Sequence, residues 1–164
     1  MMIIRLIGFF VISLLLGSCS KECDLVLNIP TSVNTAVAIA NEAEIQAYIT
    51  DNNISTQKSS TGLHYTIEEA GSFENPELCS LVTVEYSGYL TNGVSFDSSG
   101  PNGATFPLSD VILGWQEGIS LFGKGGKGKL IIPSKLAYGP NPPSSKIPAN
   151  GVLIFDIHLI DFSH

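Results

Sequence analysis

The sequence predicts an α+β domain: an antiparallel sheet with one short helix lying across its concave side. Three observations carry this. Residues 82–90 read Val-Thr-Val-Glu-Tyr-Ser-Gly-Tyr-Leu, alternating as a half-buried strand does, and Asn92-Gly93 follows as a hairpin turn. Further strand-like runs stand at residues 63–67, 105–108, 129–133 and 151–162, separated by loops rich in Gly, Ser and Pro. The composition, with 16 Gly, 9 Pro and only 14% charged residues, suits a turn-rich β-containing domain rather than a helical bundle. The short helix falls after residues 105–108. Ser109 or Asp110 can cap it, it runs to about Gly118, and Val111, Ile112, Trp115 and Ile119 share the face that covers the sheet.

The N-terminus reads separately. Residues 1–5 are a short basic start, residues 6–16 are almost wholly apolar, and Leu16-Gly17-Ser18-Cys19 follows. The apolar run is well short of the roughly 20 residues that span a bilayer, so residues 1–18 read as a secretory signal peptide. Cys19 directly after Gly-Ser resembles a bacterial lipobox, in which the cysteine is acylated and becomes the mature N-terminus. The expectation is a protein of the bacterial cell envelope, joined to a membrane through a lipid anchor. Ser20 fits sorting to the outer membrane, at its periplasmic face or its surface. Loss of residues 1–18 removes Arg5 and no acid, leaving 7 basic against 15 acidic residues.

Residues 19–35 have no sustained periodicity, hold Pro30 and read as a lipidated tether with a short extended piece at Leu25-Val26-Leu27. Residues 36–61 are an N-terminal helix and loop: Val37, Ala40, Ile45, Tyr48 and Ile49 fall at helical spacing, and Asn52-Asn53 ends the helix. That helix packs on the domain or pairs with a second copy of itself. The domain proper occupies residues 62–164. With Cys19 acylated, Cys23 and Cys79 are left either to pair, fastening tether to domain, or to stay free.

Several functions are excluded at this level. The net charge of -7 at pH 7 gives no sign of a nucleic-acid partner. His64, His158 and His164 have no ligand spacing, so no metal and no cofactor are expected. Residues 118–124 mimic most of a P-loop, but Gly125 stands where the Mg²⁺-binding Ser or Thr belongs, and the first glycine follows a helix rather than a strand. Lys124, Lys127, Lys129 and Lys135 read as a solvated strand face, and Asp156 and Asp161 as facing solvent or a neighbouring loop. What remains is aromatic: Phe96 beside Asp97, Trp115 in the short helix, and Tyr138 in a loop with four prolines. Singly these are core residues. Together they make an apolar pocket with a few polar groups at its rim, suited to a greasy, amide-like ligand. A carboxylate among aromatic rings needs a polar partner.

In order along the chain stand residues 82–90, Asn-Gly-Val-Ser-Phe-Asp-Ser-Ser (92–99), Phe-Pro-Leu (106–108), Val-Ile-Leu-Gly-Trp-Gln-Glu-Gly (111–118), Ile-Ile-Pro-Ser-Lys-Leu-Ala-Tyr-Gly (131–139) and Leu-Ile-Phe-Asp-Ile (153–157). On these blocks the last three-fifths of the chain resembles the FKBP-type peptidyl-prolyl cis-trans isomerases, the macrolide-binding immunophilins. The resemblance implies a half-barrel sheet wrapped around the short helix. It makes Tyr86, Phe96, Asp97 and Tyr138 the catalytic set and Phe106, Val111, Ile112, Trp115, Ile147 and Phe155 the substrate-binding set. Trp115 is then the pocket floor, the Ile112 N–H and the Tyr138 hydroxyl donate to ligand carbonyls, and Tyr86 holds Asp97. The implied partners are proline-containing polypeptides and macrolide inhibitors, and the implied role is assisting the folding of exported or envelope proteins. A non-catalytic peptide-binding chaperone with the same pocket is the alternative. Pro143 stands where the family often has a histidine, in the loop that overhangs the pocket.

Overall fold

The structure, a computed structural model, describes residues 34–164. The signal peptide, Cys19, Cys23 and nearly all of the tether lie outside the described residues.

Helix α1 (Thr35–Asp51) opens on Asn34, whose side chain accepts the Ala36 N–H at 3.0 Å, and closes on Asn52. Seven strands follow: β1 (Gln57–Lys58), β2 (His64–Glu69), β3 (Leu81–Tyr89), β4 (Ser95–Ser98), β5 (Ala104–Pro107), β6 (Lys127–Ile132) and β7 (Leu153–Ser163), with helix α2 (Leu113–Ile119) between β5 and β6. They form one antiparallel sheet in the order β1-β2-β6-β7-β3-β4, and β5 pairs with β3 beyond the reach of β4. The Asn92-Gly93 turn joins β3 to β4 as expected, with the Leu90 N–H on the Val94 carbonyl at 3.0 Å.

Alternation along β3 sends Val82, Val84, Tyr86 and Gly88 to the concave face, where α2 lies. Two glycines let that helix come close. A Cβ on Gly114 would stand 2.4 Å from the Ile132 side chain, and one on Gly118 would stand 2.5 Å from Leu130. Trp115 and Ile119, beside them, fill the core with Phe122, Leu130, Leu153 and Phe155. The helix starts later than the sequence suggests. Leu108–Asp110 is a 3-10 turn, Ile112 is still extended, and neither Ser109 nor Asp110 caps α2. Gln116 ties the turn down instead: its amide donates to the Ser109 and Val111 carbonyls at 3.1 and 2.9 Å.

The convex face is covered too. Ile45 of α1 is fully buried with Ile131, Val152 and Ile154, and Tyr48, Ile49 and Tyr89 pack around them. Of the two fates open to the N-terminal helix, packing on the domain is therefore observed. Ala40 faces solvent, contrary to the spacing, and Asn41 takes the inward place. Its Oδ1 accepts from the Ser134 backbone N–H and hydroxyl at 2.9 and 2.6 Å, and its Nδ2 donates to the Asn150 carbonyl at 2.9 Å. Three of the lysines are paired: Lys124 with Asp161 and Lys127 with Glu69, each at 2.8 Å, and Lys129 with Asp156. Residues 55–61, read as a loop, contribute the two-residue strand β1.

Candidate active site

The concave face ends in a pocket of about 350 Å³ between β3, β4, the start of α2 and the loop after β6. It brings together all ten side chains of the two expected sets: Tyr86, Phe96, Asp97, Phe106, Val111, Ile112, Trp115, Tyr138, Ile147 and Phe155. Asp110, Pro143 and Ser144, absent from those sets, complete the lining.

The floor and walls are aromatic rings meeting edge to face. Trp115, buried, lies 4.9 Å from Tyr86 and 5.1 Å from Phe155, centroid to centroid, at near-perpendicular angles. Phe96 meets Phe155 at 5.5 Å and 86°, and Phe106 leans on Trp115 at 5.6 Å. Such pairs contribute about 0.5–1.5 kcal/mol each beyond the area they bury, so the walls are stiff. The Trp115 indole N–H is buried and has no hydrogen-bond partner among the described residues; what surrounds it is aromatic.

Neighbouring strand residues normally point to opposite faces, yet Phe96 and Asp97 line the same pocket. A β-bulge explains it. Gly88 pairs with Asp97 and Tyr89 with Ser95, so Phe96 is the extra residue, and the local bend re-aims its side chain. Gly88 has a second part in this. A Cβ there would stand 2.8 Å from Phe96 and 2.9 Å from Phe155, so only glycine lets the two rings meet over β3. Sequence reasoning placed Gly88 inside the strand motif without giving it this task; an isolated glycine in an alternating strand is the signal that finds it.

The polar groups sit at the rim. Asp97 is exposed, and its two oxygens are both engaged: the Tyr86 hydroxyl donates to Oδ2 at 2.8 Å and the Ser98 N–H to Oδ1 at 2.9 Å. Burial, and then the bond to Asp97, pushes the Tyr86 phenol up to about 12. Burial, and then the nearby Asp97 charge, raises the Tyr138 phenol as well. Both phenols are therefore neutral donors at ordinary pH. The Ile112 N–H, at the mouth of α2, has no acceptor among the described residues. The arrangement offers no nucleophile paired with a base. It can enclose an apolar ring, orient the carbonyls beside it and exclude water.

A larger cavity of about 960 Å³ lies between α1 and residues 133–140. It has no aromatic box, and Tyr138 is the one residue it shares with the pocket. Size alone does not make it the reaction site.

Known proteins share this fold and much of its sequence. Residues 74–160 match the model of the FKBP-type peptidyl-prolyl cis-trans isomerase family. The chain is 42% identical over 127 residues to the FKBP-type peptidyl-prolyl cis-trans isomerase FkpA of Aeromonas hydrophila, covering 75% of this chain and 47% of that protein. It is 47% identical over 105 residues to FkpA of Escherichia coli K12, covering 63% of this chain and 38% of the relative. The crystal structure of the Escherichia coli FkpA superposes with a TM-score of 0.68 at 40% identity, over 79% of this chain and 62% of that one. A peptidyl-prolyl cis-trans isomerase from Pseudomonas syringae superposes at 0.70 and 27% identity, over 82% and 99%. The chain thus spans about half or less of the length of the curated relatives it matches. With the family's domain matched over more than half of its residues, this chain belongs to the FKBP-type peptidyl-prolyl cis-trans isomerases.

Proposed function

We propose that this chain catalyses cis–trans isomerisation of X–Pro bonds in exported or envelope polypeptides, held to a membrane by a lipid on Cys19. The single observation that carries the catalytic part is the rigid aromatic box of Trp115, Phe96, Phe106 and Phe155 with Tyr86-held Asp97 at its rim. The lipid part rests on the apolar segment and the Leu16-Gly17-Ser18-Cys19 motif.

An X–Pro bond turns behind a barrier of about 18–20 kcal/mol, because the planar amide must give up C–N double-bond character. The planar amide is the more charge-separated form. A dry apolar box disfavours it relative to the twisted form, so the box binds the transition state better than the ground state. The proline ring fits between Phe96, Phe106 and Phe155 over Trp115. The Ile112 N–H and the Tyr138 hydroxyl take the carbonyls on either side and fix the twist axis. Asp97, locked by two donors, acts as an oriented rim dipole and moves no proton. Macrolide ligands of the family would compete for the same box.

The test is a protease-free isomerisation assay on a proline tetrapeptide. We expect clear acceleration over buffer, and losses in kcat/KM on the order of tenfold or more for Phe96→Ala and Asp97→Leu. A folded protein that leaves the rate at its buffer value overturns the reading. If that protein still suppressed aggregation of an unfolded client, the pocket would belong to a non-catalytic chaperone.

A further inference from the structure

The first turns of α1 are not seated on the sheet. Ile45, Tyr48 and Ile49 reach the convex core, but residues 34–40 are exposed or half-buried, and Ile39 is 67% exposed. Opposite them run Pro133, Ala137 and Tyr138, and the space between is the groove of about 960 Å³. It is a fixed feature rather than a loose seam. Asn41, 5% exposed, bridges the helix to Ser134 and Asn150 with three hydrogen bonds. The Asn150 N–H bonds the Gly139 carbonyl at 2.8 Å and the Gly139 N–H bonds the Ser134 carbonyl at 2.9 Å, so the segment bearing Tyr138 is held at both ends.

We propose that this groove is a second binding site for the client polypeptide, taking the residues that flank the proline in the aromatic pocket. The inference rests on the isomerase reading above. Continuity argues for this occupant. Tyr138 lines both cavities, so a chain leaving the pocket on that side enters the groove. Capacity agrees: a pocket of about 350 Å³ holds a prolyl unit and little more, whereas the groove has room for several further residues. An apolar strip of Val37, Ala38 and Ile39 faces Pro133 and Ala137 across it, between polar residues at its ends. Its charge is distinctive in an acidic protein. Lys58 is neutralised by Glu42 at 2.9 Å, but Lys135, lying over Gly62, has no ion pair among the described residues. The matching client segment is extended and apolar, with a carboxylate a few residues from the proline.

The test compares, on the full mature chain, a proline tetrapeptide with a 12-residue peptide of the same X–Pro core, extended on either side by leucines and one glutamate. We expect kcat/KM about tenfold higher for the long peptide, mostly through KM, because remote contacts add binding that the short substrate lacks. Ile39→Glu should abolish the advantage and leave the tetrapeptide rate unchanged. Lys135→Glu should reverse the preference when the glutamate of the long peptide is replaced by lysine. Equal kcat/KM for both lengths, or an advantage that survives both substitutions, overturns the proposal. Absence of tetrapeptide turnover counts against the isomerase reading alone. Anisotropy of the labelled long peptide then decides the groove: weaker binding by Ile39→Glu supports it and unchanged binding overturns it. A photo-crosslinker in place of Ile39 names the occupant. Cross-links to the peptide support the proposal; cross-links to residues 20–33 of the same chain, or to a second copy, in the presence of the peptide overturn it.

Discussion

At the scale of single residues, the site depends as much on what is missing as on what is present. Gly88 carries no side chain, and Phe96 and Phe155 close over it. Gly88→Ala forces both rings aside by several tenths of an ångström. Overpacking of this kind costs about 1–3 kcal/mol, which a folded domain survives. The walls of the box, however, are displaced, so kcat/KM should fall on the order of tenfold while far-UV circular dichroism is unchanged. An alanine variant with full activity would show that the rings do not set the box. The phenols lead to a second expectation. Tyr86 is raised from its usual 10 to about 12, so the neutral donor persists below that value and is lost only as pH rises through it. The stability its bond contributes follows the same sign: fully present below about 10, gone above about 12. Tyr138 is shifted the same way. Isomerisation measured from about pH 7 to pH 11 should therefore show no alkaline limb; a fall centred near 10 would mean that a normal phenol controls the rate.

At the scale of elements, the strands were legible and their covering was only half so. Alternation from Val82 to Leu90 and the Asn-Gly turn place β3 and its hairpin because both are local signals. Runs such as Leu130-Ile131-Ile132 and Leu153-Ile154-Phe155 do not alternate, since β6 and β7 are buried on both faces, by α2 and by α1. The start of α2 is hard to read because Ser109 and Asp110 look like caps, while the side chain that organises the turn, Gln116, lies inside the helix. Phe96, Asp97, Trp115 and Tyr138 are readable as a pocket from their chemistry, and the full set of ten only through the family motifs. The bulge that turns Phe96 was not readable at all, because it exists in the pairing of two strands. Asn41 leaves no local signal, because its partners stand 93 and 109 residues away. It belongs to α1 but holds the loops beneath Tyr138. Asn41→Leu strands the Ser134 N–H and hydroxyl and the Asn150 carbonyl, and should cost about 3 kcal/mol. For a domain of this size that lowers Tm by roughly 6–12 °C in a thermal melt. A variant as stable as the parent would mean that α1 is not anchored through this residue.

At the scale of the whole molecule, one cysteine bears on the proposed lipid anchor. Cys79, in the loop before β3, is disulfide-bonded, and its partner lies outside the described residues. The chain holds only two other cysteines, Cys19 and Cys23. A disulfide stabilises by about 2–4 kcal/mol, chiefly by restricting the unfolded chain. Cys79→Ser, or reductant added to the parent, should therefore lower Tm by several degrees, and the two treatments together should do no more than either alone. The identity of the partner carries further than the stability. A cysteine whose sulfur bears a thioether-linked lipid has no thiol left to oxidise, so acylation and disulfide formation exclude each other at Cys19. If the lipobox reading holds, non-reducing peptide mapping of protein from membranes finds Cys23 joined to Cys79 and Cys19 in the lipid-modified fraction. The domain is then tied by covalent bonds within four residues of its anchor, rather than swinging on the full tether. A Cys19–Cys79 peptide would remove the lipid from Cys19 and the membrane from the proposed function, and would leave the prolyl pocket untouched.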